Sequence, residues 1–188
     1  MKNLENSTIE TIVGADAAKA SFARALFWTI AGSLALAVSA KLEVPFYPVP
    51  MTLQSLVVLL LGPALGSGLA AATVALYLLE GFLGLPVFAG ATAGPTYFFG
   101  PTAGYLAGFL VAAWIVGALS ERGSSRSWRG AISTMAAGHY FVFVLGFSWL
   151  ACLLGPAKAL AIGVVPFLWA TVLKTLLAVA LVRAAPTR

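Results

Sequence analysis

Hydrophobic positions run in long continuous blocks along this chain, and polar residues collect in the gaps between them. Continuous apolar runs select helices over barrel strands, whose pattern alternates. Six blocks emerge. Span 1 covers about Arg24–Ala40, span 2 the short Thr52–Leu61, span 3 Ala64–Leu83, span 4 Pro101–Ser120, span 5 Gly130–Leu153, and span 6 runs from Pro166 to near Arg183. Ala157–Val165 reads as a short interfacial helix. Gly62-Pro63 is expected to break span 2 and Thr52 to cap its start. Pro166 suits a first helical position. Residues 1–22, with Lys2, Glu5, Glu10, Asp16 and Lys19, form a polar tail or surface helix ahead of a six-helix domain over residues 23–185. They lack the basic-then-apolar order of a cleaved signal.

Two of the gaps differ from ordinary loops. In KLEVPFYPVPM (41–51), Pro45, Pro48 and Pro50 forbid a regular helix and favour a stiff, extended path. The stretch from Gly84 to Phe109 is too rich in glycine and proline for a membrane helix, yet too apolar for a solvated loop. Irregular backbone close to a bilayer is tolerated only where protein or a cavity satisfies its polar groups. The stretch is therefore a candidate lid or wall of a binding site.

Composition fixes the solvent. Of 188 residues, 61% are hydrophobic and 9% charged, against about 25% charged in soluble domains, so this is an all-α integral membrane protein. At roughly 20 residues per span, the length allows the six helices. Lys2, Lys19, Arg24, Arg122, Arg126, Arg129, Arg183 and Arg188 then fall on one side, and only Lys41 and Lys158 on the other. The positive side is cytoplasmic, so both termini are expected there and the two unusual loops outside. The net charge of +5 fits this topology rather than nucleic acid. No GxxxxGK[ST] loop, HExxH helix or paired Cys or His cluster occurs, so ATP hydrolysis, metal binding and catalysis are not expected. The lone Cys152 reads as a small packing residue.

Lys174 is the clearest anomaly. It lies about 12 Å into span 6 at 1.5 Å per residue, where insertion costs at least about 2.5 kcal/mol. Either it pairs with Glu80, Glu43 or backbone carbonyls, or it faces a ligand cavity. Thr171 shares its helix face. Gln54 places an amide in the first turn of span 2, and Glu80 sits near the end of span 3. His139, the only histidine, reads as packed or interfacial. Tyr47, Tyr97, Phe98, Phe99 and Tyr105 belong either to an aromatic belt or to a pocket wall, and the five tryptophans read mainly as interface anchors. Small residues at a spacing of four (Ala31, Ala35 and Ser39; Ala64, Gly68 and Ala72; Gly100, Gly104 and Gly108) mark faces where helices approach closely. For the first of these, the approaching helix is either internal or an external partner.

The segments VPFYPVPMTLQSLVVLLLG (44–62), YLLEGFLGLPVFAG (77–90), GPTYFFGPTAGYLAGF (94–109), GHYFVFVLGFSWLA (138–151) and PFLWATVLK (166–174) together closely resemble the biotin-specific substrate-binding (S) subunit of energy-coupling-factor (ECF) transporters. The resemblance covers most of residues 24–183. It implies a six-helix fold with biotin held near the external face, under the loops after spans 1 and 3. The ligand contacts it suggests are Lys174, Thr171, Gln54, Tyr47, Glu80, Gly90, Gly94, Tyr97 and Tyr105. It further implies a transmembrane coupling protein and two ABC-type ATPases as partners, docked on Ala31, Ala35 and Ser39. ATP would be used only by those partners and no cofactor by this chain, in the inner membrane of a prokaryote. Gly84–Phe99 becomes the lid, with Gly90–Tyr97 its mobile part. One departure stands out: the family's aspartate three residues before the span-6 lysine is Thr171 here, preceded by Trp169-Ala170 instead of a Pro-Gly pair. Two other readings remain open. One is a self-sufficient carrier of a small organic anion or another vitamin, with Glu80 or Lys174 carrying protons. The other is a membrane scaffold without a ligand.

Overall fold

A computed structural model of the chain describes residues 2–90 and 93–185, with side chains from Ala20 onward. Helix α1 runs unbroken over Lys2–Lys41, so the polar N-terminal segment continues directly into the first span. The membrane-length part is Ala20–Lys41. Phe22, Leu26, Ile30, Leu34 and Val38 recur every four residues along it and are exposed, as lipid contact requires. Ser33, Leu36 and Ala40 on the opposite side are buried against the bundle. Of the residues counted for orientation, Arg188 and the side chains of Lys2 and Lys19 lie outside the described residues.

A two-residue antiparallel ribbon follows. β1 (Glu43–Val44) pairs with β2 (Met51–Thr52), Glu43 opposite Thr52 and Val44 opposite Met51. It ties off the proline-rich loop, which has no regular structure of its own. α2 spans Gln54–Leu65 and α3 Ser67–Phe82. Pro63 lies inside α2 and does not break it. Near a C-terminus the missing N–H removes only one ladder bond, and the chain turns three residues later at Gly66 (φ 82°). Thr52 offers its hydroxyl to the Gln54 N–H at only 3.4 Å, and Leu53 occupies the cap position.

α4 (Ala103–Glu121) and α5 (Trp128–Leu154) form the tightest pair. Ser127 caps α5 by accepting the Gly130 N–H at 3.0 Å, which starts the helix two residues before the expected Gly130. A short helix α6 (Pro156–Gly163) and a 3-10 turn at Val165–Phe167 lead into α7 (Leu168–Ala184). α7 turns Trp169, Val172, Leu173, Leu176 and Leu177 outward and buries Ala178 and Val179. Four segments are long and apolar enough to cross a membrane: Ala20–Lys41, Ala103–Glu121, Trp128–Leu154 and Pro156–Ala184; α2 and α3 are shorter apolar helices. Leu59, Val74, Tyr77, Val116, Met135 and Leu150 are fully or almost fully buried at the centre.

Several packing expectations change. On α3 the tight face is Ala70, Thr73, Val74 and Tyr77, whereas Ala64, Gly68 and Ala72 face outward and a Cβ at Gly68 would meet nothing within 4 Å. Spacing locates a face but not its direction. On α4, Gly104 and Gly108 form the seam: a Cβ at Gly108 would lie 2.8 Å from the Val142 Cα, and one at Gly104 would strike the Leu145 carbonyl. Gly100 precedes the helix and instead accepts the Trp149 indole N–H at 2.8 Å, so that tryptophan fastens a loop. Cys152 is exposed on α5 rather than packed.

Candidate ligand-binding site

Between the two unusual loops and α2, α4, α5 and α7 lies a cavity of about 610 Å³, counted to its open mouth. Each wall follows from local structure. The stiff first loop contributes Val49 and Pro50, and the start of α2 contributes Gln54 and Ser55. Ala89 and Tyr97 come from the glycine-rich stretch, and Tyr105, Leu106 and Phe109 from α4. His139, Val142 and Phe143 come from α5, Phe167 from the turn before α7, and Thr171 and Lys174 from α7 itself. The walls are mainly apolar and aromatic. Among the described residues no carboxylate lines them.

Lys174 stands over the free end of α2. The Thr52 carbonyl lies just ahead of the helix, outside its hydrogen-bond ladder, and the ammonium donates to it at 2.6 Å. It donates also to Ser55 Oγ at 3.2 Å. Backbone and hydroxyl oxygens therefore settle the charge, and neither Glu80 nor Glu43 pairs with it among the described residues. Two donations leave one ammonium N–H for a ligand. Thr171 lines the wall one turn nearer the loops.

Gln54 and Tyr77 stiffen the wall behind. Gln54 Nε2 donates to Tyr77 Oη at 2.6 Å, and Tyr77 Oη donates to the Val87 carbonyl at 3.0 Å. One chain of bonds thus links α2, α3 and the glycine-rich stretch. Tyr105 presents its ring to the cavity while its hydroxyl donates to the Gly163 carbonyl at 2.7 Å. Tyr97 sits in a 3-10 turn, Pro95–Phe99, and stacks on Phe88 with ring centroids 4.5 Å apart. Burial pushes the Tyr97 phenol above its usual pKa, the Thr102 hydroxyl opposing and Glu43 adding to the effect.

Above the cavity lies a wider vestibule of about 1090 Å³, lined by Glu43, Phe46, Gly90 and Thr96 among others. Pro50, Ala89, Tyr97 and Thr102 line both spaces and so form the constriction between them. The backbone on either side of Ala89 is held down: the Lys41 ammonium, at the end of α1, donates to the Phe88 carbonyl at 2.7 Å and the Gly90 carbonyl at 2.8 Å. Gly94, with φ 90°, adopts a backbone that L side chains avoid, and its N–H reaches the Gly81 carbonyl at 2.8 Å.

Residues 8–188 match the model of the BioY family. The chain belongs to the BioY family. It is 38% identical over 146 residues to the biotin transporter BioY of Thermotoga maritima, covering 76% of this chain and 84% of that protein. It is 36% identical over 160 residues to the biotin transporter BioY of Rhizobium etli, covering 80% and 85%. A crystal structure of the S-component for biotin from an ECF-type ABC transporter matches with a TM-score of 0.77 at 26% identity, over 87% of this chain and 90% of that one. The architecture is that of an ECF S-component, an all-α membrane protein of six helices with α6 as an added short segment.

Within this BioY-family cavity the expected residues divide. Lys174, Thr171, Gln54, Tyr97 and Tyr105 meet at one wall system. Gly90 lines only the vestibule, and Gly94 supports the loop from behind. Tyr47 is 95% exposed at the tip of the proline-rich loop and lines neither space. Glu80 faces α1, where its carboxylate accepts the Ser33 hydroxyl proton at 2.5 Å, and it makes no direct contact with Lys174 through which a proton relay would run. Of the expected docking residues, Ala35 is exposed and Ala31 half-buried, but Ser39 is buried and donates to the Leu36 carbonyl of its own helix. Ser55, Thr102 and His139 line the cavity without having been singled out as contacts. Only His139 carried a sequence signal, as a lone ionisable side chain inside an apolar span.

Proposed function

We propose that this BioY-family chain captures biotin from the external side of a prokaryotic inner membrane, as the substrate-selecting subunit of an ATP-driven ECF transporter. The observation that carries this is the cavity itself: aromatic and aliphatic walls, one half-buried ammonium with a hydrogen to spare, and no carboxylate among the described residues to oppose an anion. Biotin offers a compact apolar bicycle for such walls and acceptor oxygens at both ends. Thr171 replaces a charged acceptor with one hydroxyl, and the ligand's ureido N–H groups then rely on neutral oxygens. Transport requires energy from elsewhere, because the chain has no phosphate-binding loop. A transmembrane coupling protein and two ABC-type ATPases supply it, meeting α1 across Ala31 and Ala35, with both termini on the cytoplasmic side.

Calorimetric titration of the purified protein with biotin tests this reading. Saturable binding in the nanomolar-to-micromolar range is expected. Lys174→Ala should weaken it about tenfold to a hundredfold, the worth of one charge-assisted hydrogen bond. A flat titration with biotin beside saturable binding of another vitamin would overturn the choice of ligand while leaving the architecture intact.

A further inference from the structure

We propose that His139 donates a hydrogen bond to the bound ligand and, with Lys174, grips one acceptor oxygen of it. This inference rests on the reading of the cavity as a biotin site. His139 is 4% exposed and lines the cavity from α5. Its Nδ1 lies 2.9 Å from Thr175 Oγ1 on α7. Its Nε2 is buried and has no partner among the described residues. Buried ring nitrogens ordinarily find partners, and because His139 belongs to the cavity wall, the partner assigned to this one is a group that enters the cavity.

The tautomer follows from Thr175. Its hydroxyl has no other recorded acceptor among the described residues, and a hydroxyl proton inside a bundle needs one. His139 Nδ1 supplies it, which leaves the ring proton on Nε2. An Nε2–H at the cavity wall calls for an acceptor. Lys174 cannot serve, being a donor only, and no carboxylate among the described residues lines the cavity. A ligand oxygen entering the cavity supplies that acceptor. Lys174 and His139 line the same cavity, so the spare ammonium hydrogen and the imidazole N–H are offered to one ligand. Biotin presents the matching chemistry twice, in its carboxylate and in its ureido oxygen.

The experiment compares wild type, His139→Leu and His139→Gln by calorimetry with three ligands: biotin, biotinol (no carboxylate) and 2-iminobiotin (no ureido oxygen). His139→Leu should weaken biotin about tenfold, and His139→Gln, which keeps an N–H donor, should weaken it less. For the analogue lacking the gripped oxygen, the loss caused by His139→Leu should nearly vanish, which identifies that oxygen. A second readout uses the chain's single histidine. Histidine-labelled protein freed of any tag gives one imidazole ¹⁵N pair, and biotin should shift Nε2 far more than Nδ1. An equal loss for all three ligands would mean that the ring only packs, and would overturn the inference, as would unchanged biotin affinity in His139→Leu. Wild-type protein that does not bind biotin overturns the biotin reading and this inference with it. Intact wild-type binding with an indifferent His139→Leu overturns the inference alone.

Discussion

Thr171 and Lys174 lie one turn apart on the same face of α7, and both reach the cavity. The ammonium is held by the Thr52 carbonyl and Ser55 Oγ, so this chain keeps a half-buried cation with a hydroxyl at Thr171, not a carboxylate, one turn away. A carboxylate at 171 would add a charged acceptor for ureido N–H groups. Thr171→Asp is therefore expected to tighten biotin binding about tenfold to a hundredfold in calorimetry. Equal affinities would mean that neutral acceptors already meet the ligand's donors. The depth of Lys174 was legible from hydropathy alone, because a lysine in an apolar span has to face something polar. Its partners were not, since Thr52 lies 122 positions away in sequence and is polar only through its backbone.

At the scale of elements, glycine has two opposite roles. Gly108 sits where α5 backbone approaches, and an added methyl would lie 2.8 Å from the Val142 Cα. Gly68 faces open space. Gly108→Ala should cost about 1–3 kcal/mol by forcing the two helices apart, whereas Gly68→Ala should be neutral or stabilising by up to about 1 kcal/mol through helix propensity. Thermal unfolding in detergent separates the two, and a matching fall in both variants would refute the difference in packing. The glycine-rich stretch is held by donors from other elements: Lys41 at Phe88 and Gly90, Tyr77 at Val87, Trp149 at Gly100. Gly90–Tyr97, expected from the sequence to be the mobile part, includes Ala91 and Thr92, which lie outside the described residues. Biotin should slow hydrogen exchange there, and Lys41→Ala should speed exchange over 85–90 in the free protein. Exchange that ignores both the ligand and Lys41 would remove the lid from the account.

On the scale of the whole molecule, α1 has to serve two surfaces. Its Ser33, Leu36 and Ser39 side is committed to the bundle, while Ala35 and the row Phe22 to Val38 remain outside. A small residue on an otherwise bulky lipid-facing helix permits close approach by a partner helix. Ala35→Trp should therefore leave biotin affinity unchanged yet cut uptake in cells that also produce the coupling protein and its ATPases. Loss of binding together with uptake would assign Ala35 to the fold instead. α1 also ends at Lys41, which holds the Phe88 and Gly90 carbonyls, so the proposed docking helix and the cavity entrance share one element.

Hydrophobic patterning by itself determined the number of spans, their order and the irregularity of the two unusual loops. In a bilayer every backbone polar group has to be satisfied within its own segment, so helical stretches are nearly a local property. Glycine and proline likewise marked the loops locally, although Pro63 was overridden because it falls in the last turn of α2. Direction was beyond the sequence. The same small-residue spacing produced a buried seam at Gly104 and Gly108 and an open face at Gly68; the same polar character led Glu80 to α1 and Lys174 to the cavity. Those outcomes depend on which neighbour each helix meets and at what rotation. The pairing of His139 with Thr175 and the narrowing of the cavity mouth by Tyr97 and Ala89 depend on contacts between segments far apart in the chain, which only the tertiary structure brings together.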